Sequence, residues 1–319
     1  VLTRGAAIAI GALGTAGCTL TGARPTAGAA GNTLTGYVDA HSHVWTPDTA
    51  RFSLARWATR AQMDPPSFTA EELLALAQPH GVDRVVLIQH GPLYGDDNAY
   101  LLDCFTRFPG RFAVVAMADE RRPDLADHLR QLKRAGVRGL RIVPDRHVDR
   151  TPVKDPARWL EAPAMRALWS HATDLGLVIC PLVSAQYLPS LDPMLAEFSA
   201  TTVAVDHFGH AEAPDALPHL LKLARHPRAH VKVSGFYKFG DRTAPYDDLA
   251  PLIRRVADAF GPTRPLWGSD CPYQLRNGNT YADAVSLIAR GLDFLTPADR
   301  TALLRDTAER LFFRPARSA

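Results

Sequence analysis

The sequence predicts an α/β protein folded as a single (β/α)8 TIM barrel. Three observations carry this expectation. Eight short apolar runs are bounded by turn residues, helical patterns alternate with them, and the 319-residue composition shows no break between two domains. A doubly wound open sheet is the competing architecture, but no Gly-rich phosphate loop follows the first run.

The first strand is expected over Tyr37 to His41, followed by a helix over Ala70 to Gln78 with Thr69 at its start and Glu71 and Glu72 in its first turn. Arg84 to Gln89 is the second strand and Ala99 to Phe108 the next helix; Phe112 to Met117 and Leu125 to Ala135 repeat the unit. Val137 to Ile142 precedes a helix over Ala164 to Leu175, and Leu177 to Leu182 precedes one over Met194 to Phe198. Thr202 to His207, His230 to Ser234 and Pro265 to Ser269 complete the strands, with helices over Leu217 to Ala224, Leu249 to Phe260 and Tyr281 to Gly291, and a terminal helix over Pro297 to Phe312. Gly81, Gly136 and Gly176 stand where helix ends need left-handed backbone.

Apolar residues make up 46% of the chain and charged residues 22%, enough apolar content for a sizeable core. A net charge of +3 without a dense Lys/Arg run gives no nucleic-acid footprint, so the expected partner is a small molecule. Residues 1–36 read separately. Arg4, an apolar stretch from Gly5 to Gly17 and a small-residue site have the order of a secretory leader, too short to span a membrane. Thr15-Ala16-Gly17-Cys18 is similar to a bacterial lipobox with Thr in place of the usual Leu. Export is the expectation, to the periplasm or with a lipid anchor at Cys18; a start assigned too far upstream, leaving a cytoplasmic protein, is the alternative. Cys104, Cys180 and Cys271 have no paired spacing and are expected to be reduced.

A barrel's active site lies at the carboxyl ends of its strands. There the sequence places His41 and His43, Gln89, Arg141, Asp206 and His207, and Ser269 and Asp270. His41 and His43 share a face, and two inward imidazoles are costly in a core without a purpose. Alternation then puts Asp39 inward with His41, Gly139 and Val137 inward with Arg141, and Val205 and Val203 inward with His207. Arg141 suits a bidentate carboxylate. Lys232 shares a face with Ser234 and is expected to pair with Asp39, while His207 could simply bond Asp206. His80, His90, His128, His171, His219 and His226 have no shared spacing and read as surface residues.

Asp39-Ala40-His41-Ser42-His43-Val44-Trp45, Gln89 with Tyr94-Gly95-Asp96-Asp97-Asn98, Gly139-Leu140-Arg141, Asp206-His207-Phe208-Gly209, Lys232-Val233-Ser234-Gly235 and Trp267-Gly268-Ser269-Asp270-Cys271-Pro272 occur in one order. Together they resemble the amidohydrolase-related (amidohydrolase 2) family, in its lactonase branch of 2-pyrone-4,6-dicarboxylate lactonase and sugar lactonases. The resemblance covers about Tyr37 to Phe312 and implies a (β/α)8 barrel that hydrolyses a lactone bearing a carboxylate. It implies that Asp270 activates water, that His41, His43 and His207 polarise the scissile carbonyl or, with Asp270, hold a divalent metal, and that Arg141 holds a substrate carboxylate. Gln89, Tyr94, Arg146 and Tyr273 are the further substrate-binding candidates. Metal-dependent relatives add a lysine or glutamate on strand four or a histidine on strand five, and at the strand-five position this chain has Cys180-Pro181. The dicarboxylate lactonase needs no metal, so one zinc or manganese ion and metal independence both stay open. Tyr273 stands where that lactonase has a histidine, and only Arg146 or His147 approximates its second basic residue.

Two further readings remain. A metal-dependent decarboxylase wants the missing strand-five ligand. A non-catalytic binder of small organic acids needs Arg141 but no general base.

Overall fold

The computed structural model describes residues 36–314 apart from 145 and 157. The expected leader and its Cys18 lie outside the described residues.

Eight parallel strands pair in sequence order: β1 (Tyr37–Ser42), β2 (Val82–Ile88), β3 (Phe112–Ala116), β4 (Val137–Ile142), β5 (Val178–Pro181), β6 (Val203–Val205), β7 (Ala229–Ser234) and β8 (Pro265–Gly268). The barrel is drawn shut beyond β8. The Asp270 N–H donates to the His41 carbonyl at 2.7 Å and the His43 N–H donates to that of Cys271 at 2.8 Å. These two bonds stitch the two most important segments of the mouth to each other.

The helices between strands are α1 (Ala70–Ala77), α2 (Gly91–Tyr94), α3 (Ala99–Arg107), α4 (Leu125–Arg134), α5 (Pro163–Asp174), α6 (Leu188–Glu197), α7 (Leu217–Lys222) and α8 (Ala250–Phe260). After β8 come α9 (Tyr281–Ser286) and α10 (Pro297–Thr301), each continued by π-helical turns. Thr69 caps α1 as expected, accepting from the Glu72 N–H while Glu72 reaches back to the Thr69 N–H. α6 begins six residues before the expected Met194, because Pro189 sits in its first turn, where it costs no hydrogen bond, and Pro193 is tolerated inside.

Apolar side chains form two layers. The larger lies between strands and helices; a smaller plug inside the barrel includes Val38, Ile88, Val115, Val178 and Leu266. Ala308 and Phe312 of the last segment join that plug. This segment is tied to the strands' amino ends by Arg84 to Glu309 and by Thr307 to the Thr263 carbonyl, so it closes the end opposite the mouth.

Strict alternation fails at three strands. Pairing of β1 with β2 slips between Asp39 and Ser42, so Val38 and Ala40 face the interior, yet His41 also turns inward. Asp39 instead faces α9, accepting from Ser269 N at 2.8 Å and Tyr281 Oη at 3.0 Å. In β6 the interior residue is Ala204; Val203 and Val205 pack in the outer layer, and so does Val137 at the start of β4, where the pairing with β3 also slips. Gly139 is inside, within reach of Val115 and Val178. The described cysteines are free and buried.

Candidate active site

The site is assembled from strand ends and the turns after them. His207 reaches it through backbone rather than strand parity: His207, Phe208, Gly209 and His210 all have positive φ, and His207 lies at 49°. Asp270 is also left-handed, at 60°. Non-glycine residues in this region cost energy that surrounding contacts must repay, which is common where a side chain is aimed at chemistry. Gly268 is required by a close approach, since a Cβ there would lie 2.7 Å from His41 Cβ and 2.9 Å from His41 N.

Asp270 sits in the middle. His41 Nε2 is 3.5 Å and His43 Nε2 3.4 Å from its Oδ1, and His207 Nε2 is 3.5 Å from its Oδ2. Tyr237 donates to Oδ2 at 2.7 Å. Each imidazole is fixed from behind: His43 Nδ1 bonds the Ile88 carbonyl at 2.8 Å, His207 Nδ1 bonds Ser234 Oγ at 2.9 Å, and His41 Nδ1 lies 3.2 Å from Lys232 Nζ. The His43 bond puts that residue's proton on Nδ1 and turns a lone pair toward the site.

Behind the histidines is a buried charge cluster. Lys232 Nζ is 2.8 Å from Asp206 Oδ1, and Asp206 also faces His41 Nδ1 at 3.4 Å and Arg141 Nε at 3.6 Å. Lys232 therefore pairs with Asp206, not with Asp39 as expected, because Asp39 is turned to the other side of its strand. Asp206 likewise faces these groups and not the ring of His207.

Burial disfavours charge on all three imidazoles. It lowers His41 to about 3, helped by Lys232; lowers His43, with Arg141 adding; and lowers His207 well below its ordinary value. Burial raises the Asp270 carboxyl, but His207, His43 and His41 outweigh it, leaving the pKa well below the ordinary carboxylate value. The result is an ionised carboxylate among neutral imidazoles.

A cavity of about 440 Å³ opens over these groups, lined by His43, His207, Asp270, Arg141, Arg146, Tyr273 and others. Gln89 and Tyr94 do not line it. Gln89 is buried and spends its amide on the Gly95 and Asp97 carbonyls, and the Tyr94 hydroxyl accepts from the Thr46 N–H. They hold the loop beside the mouth. His147 lines the cavity and bonds Glu120.

Sequence reasoning missed several groups. His90, expected at the surface, is 5% exposed, lines the cavity, and bonds Tyr273 Oη through Nε2 at 2.6 Å. Its signal was its position directly after Gln89 at the end of the second run. Tyr237, Lys238 and Arg276, from short helical turns after the strands, and Arg150, from a loop, also line the cavity, where no periodicity marks them.

His41, His207 and Asp270 could hold a metal ion, having ligand atoms all within 4.8 Å of one another. His41 Nε2 and Asp270 Oδ1 are buried without a hydrogen-bond partner, which fits a metal ion that takes a lone pair from each.

Residues 38–314 match the amidohydrolase family model. An L-fucono-1,5-lactonase from Burkholderia ambifaria is 30% identical over 258 residues, covering 75% of this chain and 81% of the relative. A 4-sulfomuconolactone hydrolase from Hydrogenophaga intermedia is 27% identical over 294 residues, covering 88% and 90%. The crystal structure of an amidohydrolase from Burkholderia multivorans with bound zinc superposes with a TM-score of 0.72 at 25% identity, covering 86% of this chain and 98% of that one. The chain belongs to the amidohydrolase family.

Proposed function

We propose that the protein is a hydrolase that opens the ring of an anionic lactone, with Asp270 activating the attacking water. One observation carries the reading. Asp270 Oδ1 is buried, lacks a hydrogen-bond partner and faces a cavity, while its other oxygen is held by Tyr237. A carboxylate so placed is a base waiting for an O–H. Relatives named for lactone hydrolysis support the substrate class.

In this reading water sits between Asp270 and the scissile carbonyl, and Asp270 takes a proton as oxygen adds to carbon. The developing oxyanion needs donors aimed at it. Lys232 is donor-only and lies nearer to His41 Nδ1 than Asp206 does, which favours a proton on His41 Nε2 directed at the site. Arg141, buried at the cavity wall with Nη1 3.4 Å from His43 Nε2, receives the substrate anion. Arg146 and Tyr273 lie on the same wall.

A zinc or manganese ion held by His41, His207 and Asp270, with His43 beside it, would polarise the carbonyl and acidify water. His41 can serve either state: with its proton moved to Nδ1 and directed at Asp206, Nε2 presents a lone pair. Titrating zinc into chelator-treated protein by calorimetry, with His207→Ala as control, tests that ligand set without reference to turnover.

The decarboxylase reading ranks second. Cys180, the residue at the strand-five position, faces the interior plug, and burial pushes its thiol up to about 12, so it offers no thiolate. The deciding experiment follows proton and carbon dioxide release from a panel of anionic lactones and aromatic acids. Proton release without carbon dioxide is expected; tight binding without either product would favour the binder. We also propose that residues 1–36 direct export with lipidation at Cys18; the mass of the membrane-extracted product tests this, and an intact unmodified chain would oppose it.

A further inference from the structure

We propose that Tyr273, positioned by His90, is the acid that protonates the leaving ring oxygen. The proposal rests on the hydrolytic reading above and gives its second half a donor.

His90 and Tyr273 form a pair at the cavity wall, joined by a 2.6 Å bond between Nε2 and Oη. Direction decides what the pair can do. His90 Nδ1 is buried and has no hydrogen-bond partner. A proton on Nδ1 would be an orphaned buried N–H, whereas a bare lone pair there is the milder defect. A doubly protonated ring would bury that same unpartnered Nδ1–H, so the ring is neutral. Its one proton therefore belongs on Nε2 and is donated to Tyr273. With that lone pair engaged, the Tyr273 O–H is left to point into the cavity it lines.

The ring of Tyr273 is held where such a donor is useful. It packs edge-on to His43 at 5.9 Å, stacks on Tyr237 at 6.4 Å, and carries the Arg276 guanidinium 4.6 Å over its face. Tyr237 spends its hydroxyl on Asp270, so the two stacked tyrosines divide the work: one orients the base, the other faces the substrate.

The step balances. Water adds to the carbonyl and gives one proton to Asp270. As the tetrahedral intermediate collapses, the carbon to ring-oxygen bond breaks, its electron pair stays on that oxygen, and the Tyr273 proton moves to it. The phenolate left behind is stabilised by His90 Nε2–H and Arg276, and the proton stored on Asp270 restores it. An aliphatic alkoxide is a far stronger base than a phenolate and needs this donor; an enolate leaving group needs it much less.

Leaving-group dependence is the test. Wild-type, Tyr273→Phe, His90→Leu and His90→Gln proteins are compared on a lactone of an aliphatic alcohol and on an enol lactone bearing the same anionic group. The expected fall in kcat for Tyr273→Phe is about 100-fold on the aliphatic lactone and at least tenfold smaller on the enol lactone, in keeping with general acid catalysis. His90→Leu should show the same bias, and His90→Gln, whose amide can still donate to Tyr273, should recover much of it. Equal losses on both lactones, or a change confined to KM, would overturn the donor role while leaving the hydrolase reading intact. Failure of the wild-type protein to open either lactone would overturn both.

Discussion

Replacing Lys232 with Met removes a fully buried cation 2.8 Å from Asp206 Oδ1. Met preserves the stem beside Phe312, so the change is mainly one of charge. At an effective dielectric near 20, an ion pair at that separation has about 6 kcal/mol of gross attraction, much of which only offsets desolvation. Removing one partner is a different matter. The Asp206 carboxylate would keep only His41 Nδ1 at 3.4 Å and Arg141 Nε at 3.6 Å, neither within good hydrogen-bonding geometry. The expected loss is about 3 to 5 kcal/mol, the usual consequence of stranding a buried charge. Urea unfolding at pH 7 measures it. Adding Asp206→Asn to the same chain should return about half of the loss, because the stranded charge is then gone. A loss under about 1 kcal/mol in the single variant would refute the claim that this pair supports the floor of the site.

Gly268→Ala should lower kcat/KM by about 100-fold or more, because the new methyl group meets His41 backbone at 2.9 Å and pushes the imidazole off Asp270; steady-state kinetics checks it. Arg141→Met should raise KM about 10- to 100-fold for an anionic lactone, the worth of a charge-assisted bond, and hardly alter it for a neutral analogue. His230 is buried inside β7, and burial lowers its pKa from 6.5 to about 4. The unfolded chain therefore binds the extra proton first, and stability falls as pH drops from 6.5 to 4, by about 3 kcal/mol in total. Urea midpoints across that window should be flatter in His230→Gln.

The fold was legible because each barrel unit announces itself locally, by an apolar run, a turn and a helical pattern. The site was partly legible for the same reason: strand ends are known once strands are known, which put His41, His43, Arg141 and Asp270 at one mouth. What failed was parity. A slip in β1 turned Asp39 outward, and left-handed backbone at His207 brought in a ring that alternation in β6, where Val203 and Val205 face the outer layer, would have turned toward the helices. Neither a register slip nor a positive φ in a non-glycine residue leaves a mark in composition. Gln89 and Tyr94 sit at the expected strand mouth but serve the loop, since the Gln89 amide nitrogen and the Tyr94 hydroxyl find backbone partners there. His90 was passed over because a lone histidine in a loop has no spacing to read; only its contact with Tyr273 gives it a role.

The central claim is that Asp270 is the base, and Asp270→Asn tests it most directly, through proton release from an anionic lactone that the wild-type protein opens. Asn keeps the shape and can still accept from Tyr237, so the unfolding midpoint serves as a control for structure. The expected result is a fall in kcat of about 1,000-fold with a folded protein, as loss of a general base requires. Turnover within about tenfold of wild type would contradict the account, because no other carboxylate lines the cavity among the described residues.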